Sequence, residues 1–323
     1  MSDGRQELLY LSSADAESIG LSFPEIVDAL ARAYLAKAQG KVIAKPKLSL
    51  DLGEGRMRFA LPAALPPYSC FKCSGVTPDN HGRGLPHING LVILFDFATG
   101  VPVAIVDGNW ISAKRTAAIG VLAAKHLARA NSATVGFIGC GVQARSNLAA
   151  LRTAFPLHTV MAFSKPRGTA EQFAREMETP DLRVMVAGDP RRVVETSDIV
   201  VTSVPDAPSL RPFLDAAWLR PGTFANLVDL GRSWHGASLK RLDIVATDDR
   251  EQSEDQAKVG RLPYTGRFDA DLAQLVGGAV ASRTNATQRT TLIHPGVGLG
   301  DLAVAALLFE RASERKLGTW LPR

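Results

Sequence analysis

At 323 residues the chain exceeds what one hydrophobic core usually supports, so two domains are expected. Its 46% apolar and 21% charged residues are those of an ordinary globular protein, and no apolar run approaches the roughly 20 residues a membrane span needs. The formal charge of +5 is interleaved with acids and the N-terminus has no apolar leader core, which argues against nucleic acid and membrane partners and for a cytoplasmic protein acting on small anions.

Residues 8–11 read as a short strand, and Ser22-Phe23-Pro24 opens a helix whose apolar positions Ile26, Val27, Leu30, Tyr34 and Leu35 keep helical period until Gly40. From residue 43 to 107 the pattern becomes strands at 47–51, 56–61, 68–76, 88–95 and 101–106, joined by turns, which predicts a mostly antiparallel sheet. Residues 78–84, Pro-Asp-Asn-His-Gly-Arg-Gly, read as a flexible polar loop. Cys70 and Cys73 have the spacing of a redox or zinc motif, yet a strand over 68–76 points them to opposite faces; with Cys140 the only other cysteine, neither a disulfide framework nor a metal site is expected.

Asn109 is the expected cap of a long helix over 110–130. Beyond it, residues 133–150 read ATVGFIGCGVQARSNLAA: an apolar strand, a glycine turn, then a helix. Gly139 permits the sharp turn, Gly141 lets backbone approach a pyrophosphate, and Ala144 allows close packing of helix on strand; Val142 and Gln143 supply open N–H groups at the helix start. Strand and helix then alternate, with strands at 159–163, 183–186, 199–203, 223–228 and 244–247, which predicts a doubly wound parallel sheet of Rossmann type. An NAD site usually ends its second strand in an acid. This chain has Ser164-Lys165-Pro166-Arg167 there, groups that either suit the 2′-phosphate of NADP or are solvated loop charges, with NAD as the alternative cofactor. Ser203 and Val204 complete the expected cofactor site. A closing helix over 301–315 should pack back on the first domain, giving a division into residues 1–118 with 300–323, and 119–299.

Together, Gly84-Leu85-Pro86, the segment Ile111-Ser112-Ala113-Lys114-Arg115-Thr116-Ala117-Ala118, the glycine turn, Trp218-Leu219-Arg220-Pro221-Gly222-Thr223 and Gly300-Asp301-Leu302-Ala303 resemble the ornithine cyclodeaminase/mu-crystallin family nearly end to end. The resemblance implies a substrate-binding and dimerising first domain, a homodimer, and hydride transfer between NAD(P)H and the α-carbon of an imino acid. It also admits a cyclodeaminase that retains its cofactor and a nonenzymatic NADP(H)-dependent binding protein. By that resemblance Arg115 holds the substrate carboxylate and Lys72 sits beside it. On the strand alone, Lys72 is either an exposed sheet charge or a buried ammonium. Two departures stand out. Pro46-Lys47 occupies a position where members commonly carry Arg, making any second carboxylate contact a point charge. The cyclodeaminase's aspartate column falls on Gly231, with Asp229 two residues early, which weighs against ornithine cyclisation and leaves Asp229 as a candidate catalytic acid. His294, where members often have Ser-x-Gly, is either a proton donor or a structural hydrogen-bonder.

Overall fold

The computed structural model describes residues 7–207 and 209–323; the first six residues, part of the stretch read for a leader, lie outside the described residues. Contacts divide the chain into two units, Met1–Arg115 with Val297–Arg323, and Thr116–Gly296.

The first unit begins with strand β1 (Glu7–Leu11) and helices α1 (Ser13–Ser18) and α2 (Phe23–Ala38). A reciprocal cap starts α2: Ser22 Oγ accepts from the Glu25 amide and Glu25 Oε2 accepts from the Ser22 amide, so two otherwise orphaned donors are satisfied. Ile26, Val27, Leu30 and Tyr34 are buried as expected, whereas Leu35 lies a step off that stripe and is exposed. Strands β2 (Ile43–Ala44), β3 (Leu48–Asp51), β4 (Met57–Leu65), β5 (Tyr68–Val76), β6 (Ile88–Asp96) and β7 (Pro102–Asp107) follow. The segment expected to be a flexible loop is a 3₁₀ turn, Pro78–Arg83, pinned where Asn80 Nδ2 donates to the Pro86 carbonyl at 2.9 Å. Helix α3 (Gly108–Leu127) starts before the expected cap: Asp107 Oδ1 accepts from the Trp110 amide at 2.7 Å, so Asp107 does the capping and Asn109 is already inside the helix.

The second unit alternates strand and helix: β8 (Thr134–Ile138), α4 (Val142–Leu151), β9 (Thr159–Phe163), α5 (Arg167–Met177), β10 (Arg183–Val186), α6 (Pro190–Thr196), β11 (Ile199–Thr202), β12 (Phe224–Leu227), α7 (Gly236–Leu239), β13 (Ile244–Thr247), α8 (Arg250–Lys258), β14 (Ala270–Asp271), α9 (Leu272–Val276) and β15 (Thr290–Ile293). The strands form one parallel sheet in the order β10-β9-β8-β11-β12-β15-β13-β14. The order reverses between β8 and β11, the switch point outside which doubly wound sheets hold ligands. Strand β15 escaped the sequence reading because Thr-Thr-Leu-Ile has neither alternation nor length. It is nonetheless wholly buried, inserted between β12 and β13.

The chain returns to the first unit in helix α10 (Gly298–Arg315) and strand β16 (Thr319–Pro322). The sheet there runs β16-β1-β7-β6-β5-β4-β2, with β3 also on β4; β1 and β7 pair in parallel and the other described pairs are antiparallel. One face, carrying Leu61, Ala63, Cys70, Val92, Leu94, Ala104 and Val106, is buried, and α10 packs against β4, β5, β6 and α2 as expected. The opposite face displays Phe71 and Leu91, exposed by 48% and 43%.

Candidate active site

Strand alternation decides the fate of Lys72. It pairs with Leu61 on one side and Val92 on the other, both buried, so its ammonium enters an apolar row where an unpaired charge would cost several kcal/mol. Three elements supply its partners. Helix α10 starts hard against β4: a Cβ on Gly298 would lie 2.9 Å from the Leu61 carbonyl oxygen, and this close approach sets Asp301 one turn further on, fully buried. Helix α3 places Ser112 and Arg115 three residues apart, hence on one face. Lys72 Nζ donates to Asp301 Oδ1 at 2.8 Å and to Ser112 Oγ at 2.6 Å, while Ser112 donates onward to the Gly108 carbonyl. Arg115 Nε donates to the same Asp301 Oδ1 at 3.2 Å. The contact uses Nε, so the two terminal nitrogens that grip a carboxylate bidentately are not drawn into it.

Burial pushes the Asp301 carboxyl up, but the charges of Arg115 and Lys72 outweigh it and hold the group below the usual carboxylate range. Position in the first turn of α10 favours the anion further. Burial also pulls the Lys72 ammonium down, opposed by Asp301 and assisted by Arg115. Cys70, on the same strand face, is pushed up by burial and stays a thiol. Cys73 is exposed on the other face, as the alternation required.

The second unit has the expected glycine turn between strand and helix. Gly139 has φ of 88°, and a Cβ there would come within 2.6 Å of the Ser203 carbonyl oxygen, so only glycine fits between the ends of β8 and β11. Its amide donates to the Phe163 carbonyl at 2.9 Å, tying the turn to the end of β9. Gly141 is the N-cap of α4 with no side-chain cap, and nothing lies within 4 Å of where its Cβ would be. Open space in front of uncapped helix amides fits a dinucleotide pyrophosphate. Ala144 is buried, Val142 is exposed beside the cap, and Gln143 follows in the first turn. Cys140, inside the turn, is pushed up to about 12, chiefly by burial.

Ser164 and Lys165 follow β9 as expected, but Arg167 opens α5 with its Nε donating to Glu171 at 2.8 Å. Ser203 Oγ donates to the Gly139 carbonyl at 3.0 Å, and Val204 continues that loop. Asp229 is buried with both oxygens spent inside its own unit: Oδ1 accepts from Thr202 Oγ1 and the Gly231 amide, Oδ2 from Ser233 Oγ at 2.6 Å. Burial raises its carboxyl against those three bonds. These bonds tie the turn after β12 to the end of β11. His294 is buried directly after β15, next to the β13 end that Asp248 ties to the Gly296 amide. Lys47 precedes β3 with its Nζ 5.3 Å from the Phe59 ring centroid, and Phe59 shares the Lys72 face of the sheet.

The sequence reading missed Asp301 and Ser112. The signal for Asp301 was an acid inside the otherwise apolar run Gly298–Ala305, where a charge must have a partner. Among the described residues no group of three or more His, Cys, Asp or Glu could hold a metal, and no helix is long and apolar enough to cross a membrane.

A profile of the ornithine cyclodeaminase/mu-crystallin family matches residues 9–316. An alanine dehydrogenase of Archaeoglobus fulgidus is 30% identical over 325 residues, covering 97% of this chain and 98% of that protein. Among solved structures, the Δ1-pyrroline-2-carboxylate reductase of Thermococcus litoralis, in complex with NADH and L-proline, is 27% identical with a TM-score of 0.87 and covers 96% of this chain and 99% of its own. An archaeal alanine dehydrogenase dimer with bound NAD is 29% identical with a TM-score of 0.88, covering 98% and 99%.

Proposed function

This chain belongs to the ornithine cyclodeaminase/mu-crystallin family, and from that premise we propose that it is an NAD(P)H-dependent oxidoreductase that reduces an α-imino acid to the L-amino acid, or runs the reverse oxidation. The observation that carries the reading is the buried cluster of Lys72, Arg115 and Asp301, two cations on one carboxylate oxygen. It leaves one net positive charge out of water, a match for a single carboxylate. Arg115 grips the α-carboxylate through its terminal nitrogens, and Lys47 adds a point charge to the same end of the substrate. Lys72 donates a proton to the imine nitrogen; His294 is the second proton carrier to be tested. The nicotinamide, when bound, supplies or accepts the hydride at the α-carbon. The amides of α4 hold the pyrophosphate, and Ser164 and Lys165 favour NADPH over NADH because no carboxylate follows β9.

The exposed apolar face bearing Phe71 and Leu91 supports a homodimer through the first unit, since such a sheet face needs cover. A dimer is also the form of the archaeal alanine dehydrogenase. The three free cysteines suit a cytoplasmic enzyme drawing on the cell's nicotinamide pool.

Mixing the protein with NADPH, ammonia and a panel of 2-oxo acids, or with preformed cyclic imines, tests the reading through loss of nicotinamide absorbance. Turnover with at least one acid is expected. Ammonia release from a diamino acid without net cofactor consumption would reassign it as a cyclodeaminase, and cofactor binding without either reaction as a binding protein.

A further inference from the structure

We propose that Asp301 is a positioning residue of the imino-acid site, keeping Lys72 charged as an acid and turning the Arg115 guanidinium so that its terminal nitrogens meet the carboxylate. The proposal rests on the functional reading above and assigns a role to a residue that touches neither substrate nor cofactor.

Every element packed around Lys72 contributes to the argument. Strands β4 and β6 face it with Leu61 and Val92, which cannot support a charge. Its own strand offers Cys70, which burial keeps a neutral thiol. Helix α3 offers the neutral Ser112 hydroxyl at 2.6 Å and the like charge of Arg115. Asp301 from α10, at 2.8 Å, is the one anionic partner among these groups. Remove its charge, and two buried cations face each other with nothing between them. The cheaper outcome is that Lys72 releases its proton, because a buried amine titrates where a buried unpaired ammonium will not stay. A neutral amine has no acidic proton for the imine.

The same oxygen settles the orientation of Arg115. Five donors lie in a rigid plane, so engaging Nε at 3.2 Å fixes which edge of that plane is left for the substrate. Asp301 is held for both tasks by the close approach of Gly298 to the Leu61 and Pro62 carbonyls, which stops α10 from sliding.

The test uses the full-length protein labelled with ¹⁵N at lysine side chains. The Lys72 Nζ signal, assigned by its loss in Lys72→Met, is followed against pH in wild type and in Asp301→Asn. The expected result is a titration at least about one pH unit lower in Asp301→Asn, the size of effect one opposite charge at this range exerts. The alkaline limb of kcat/KM for the imino acid should move down by the same amount. Identical Lys72 titrations in the two proteins would overturn the proposal whatever the activity. A shifted titration in a protein that reduces no imino acid would uphold the Asp301–Lys72 coupling and sink the functional reading, so the two failures are distinguishable. Asp301→Glu covers the case of an unfolded Asn variant: it keeps the charge but moves the carboxylate by a methylene, so the Lys72 titration should stay while KM rises severalfold with kcat little changed. An unmoved KM there would refute the orienting role.

Discussion

The two glycines of the phosphate turn should fail in different ways when each is given a methyl group. Gly139 combines a φ of 88° with a Cβ position 2.6 Å from the Ser203 carbonyl oxygen. Forcing alanine into the left-handed region costs about 1–2 kcal/mol, and moving backbone to relieve the clash adds about 1–3 kcal/mol. Gly139→Ala should therefore destabilise by roughly 2–5 kcal/mol and lower the melting temperature by roughly 4–20 °C for a unit of this size. Gly141 has no positive φ and nothing within 4 Å of its Cβ position, so Gly141→Ala should melt with wild type. Its methyl group would instead occupy the space in front of the α4 amides, weakening dinucleotide binding about tenfold or more, about 1.4 kcal/mol. Differential scanning fluorimetry without cofactor and a fluorescence titration with NADPH separate the effects. A Gly141→Ala variant that binds NADPH like wild type would falsify the assignment of the cradle; an unshifted melting temperature in Gly139→Ala would refute the packing argument.

Arg115→Lys keeps the charge and loses the planar fork, so it should chiefly raise KM for the imino acid, whereas Lys72→Met should chiefly depress the single-turnover rate; near-wild-type chemistry in Lys72→Met would return that residue to a packing role. Lys165→Ala should raise KM for NADPH more than for NADH, and Arg167→Ala should matter less because its guanidinium already meets Glu171; equal effects on both cofactors would remove the case for NADP. Asp229→Asn should keep turnover on the order of wild type. Because the folded-state carboxyl of Asp229 is raised above its ordinary 3.8, its contribution to stability is present at acid pH and lost as pH climbs from that value through the raised one. The Asn variant should flatten stability over that window, which urea unfolding at several pH values would measure. Phe71→Asp should yield monomer by light scattering if the exposed sheet face is the dimer contact, and an unchanged mass would rule that face out.

Period and turn chemistry made much of this fold legible. Strand alternation over residues 68–76 placed Cys70 and Cys73 on opposite faces, and the glycine turn announced the parallel sheet of Thr116–Gly296. What stayed hidden was set by distant pairing. Strand β15 carries four residues without alternation and is defined by neighbours on both sides. Lys72 could be read either as a surface charge or as a buried ammonium because its fate depends on Asp301, 229 residues away in the chain. The hydrogen bonding of Asp229 was hidden in part for the same reason: of its donors Thr202, Gly231 and Ser233, only the last two are local.

The division of the chain also has a consequence for how the protein is made. Thr116–Gly296 is one uninterrupted stretch and can condense as soon as it leaves the ribosome. The other unit cannot: α10 must come to cover the sheet, and β16 must pair with β1, about 300 residues earlier in the chain. Until residues 297–323 exist, Lys72 and Arg115 have no carboxylate to share, and the apolar row around them has no lid. The continuous unit thus has all of its strands before the discontinuous one does. The cluster acquires its charge balance in the same event that covers the sheet, when α10 brings Asp301 to Lys72 and Arg115.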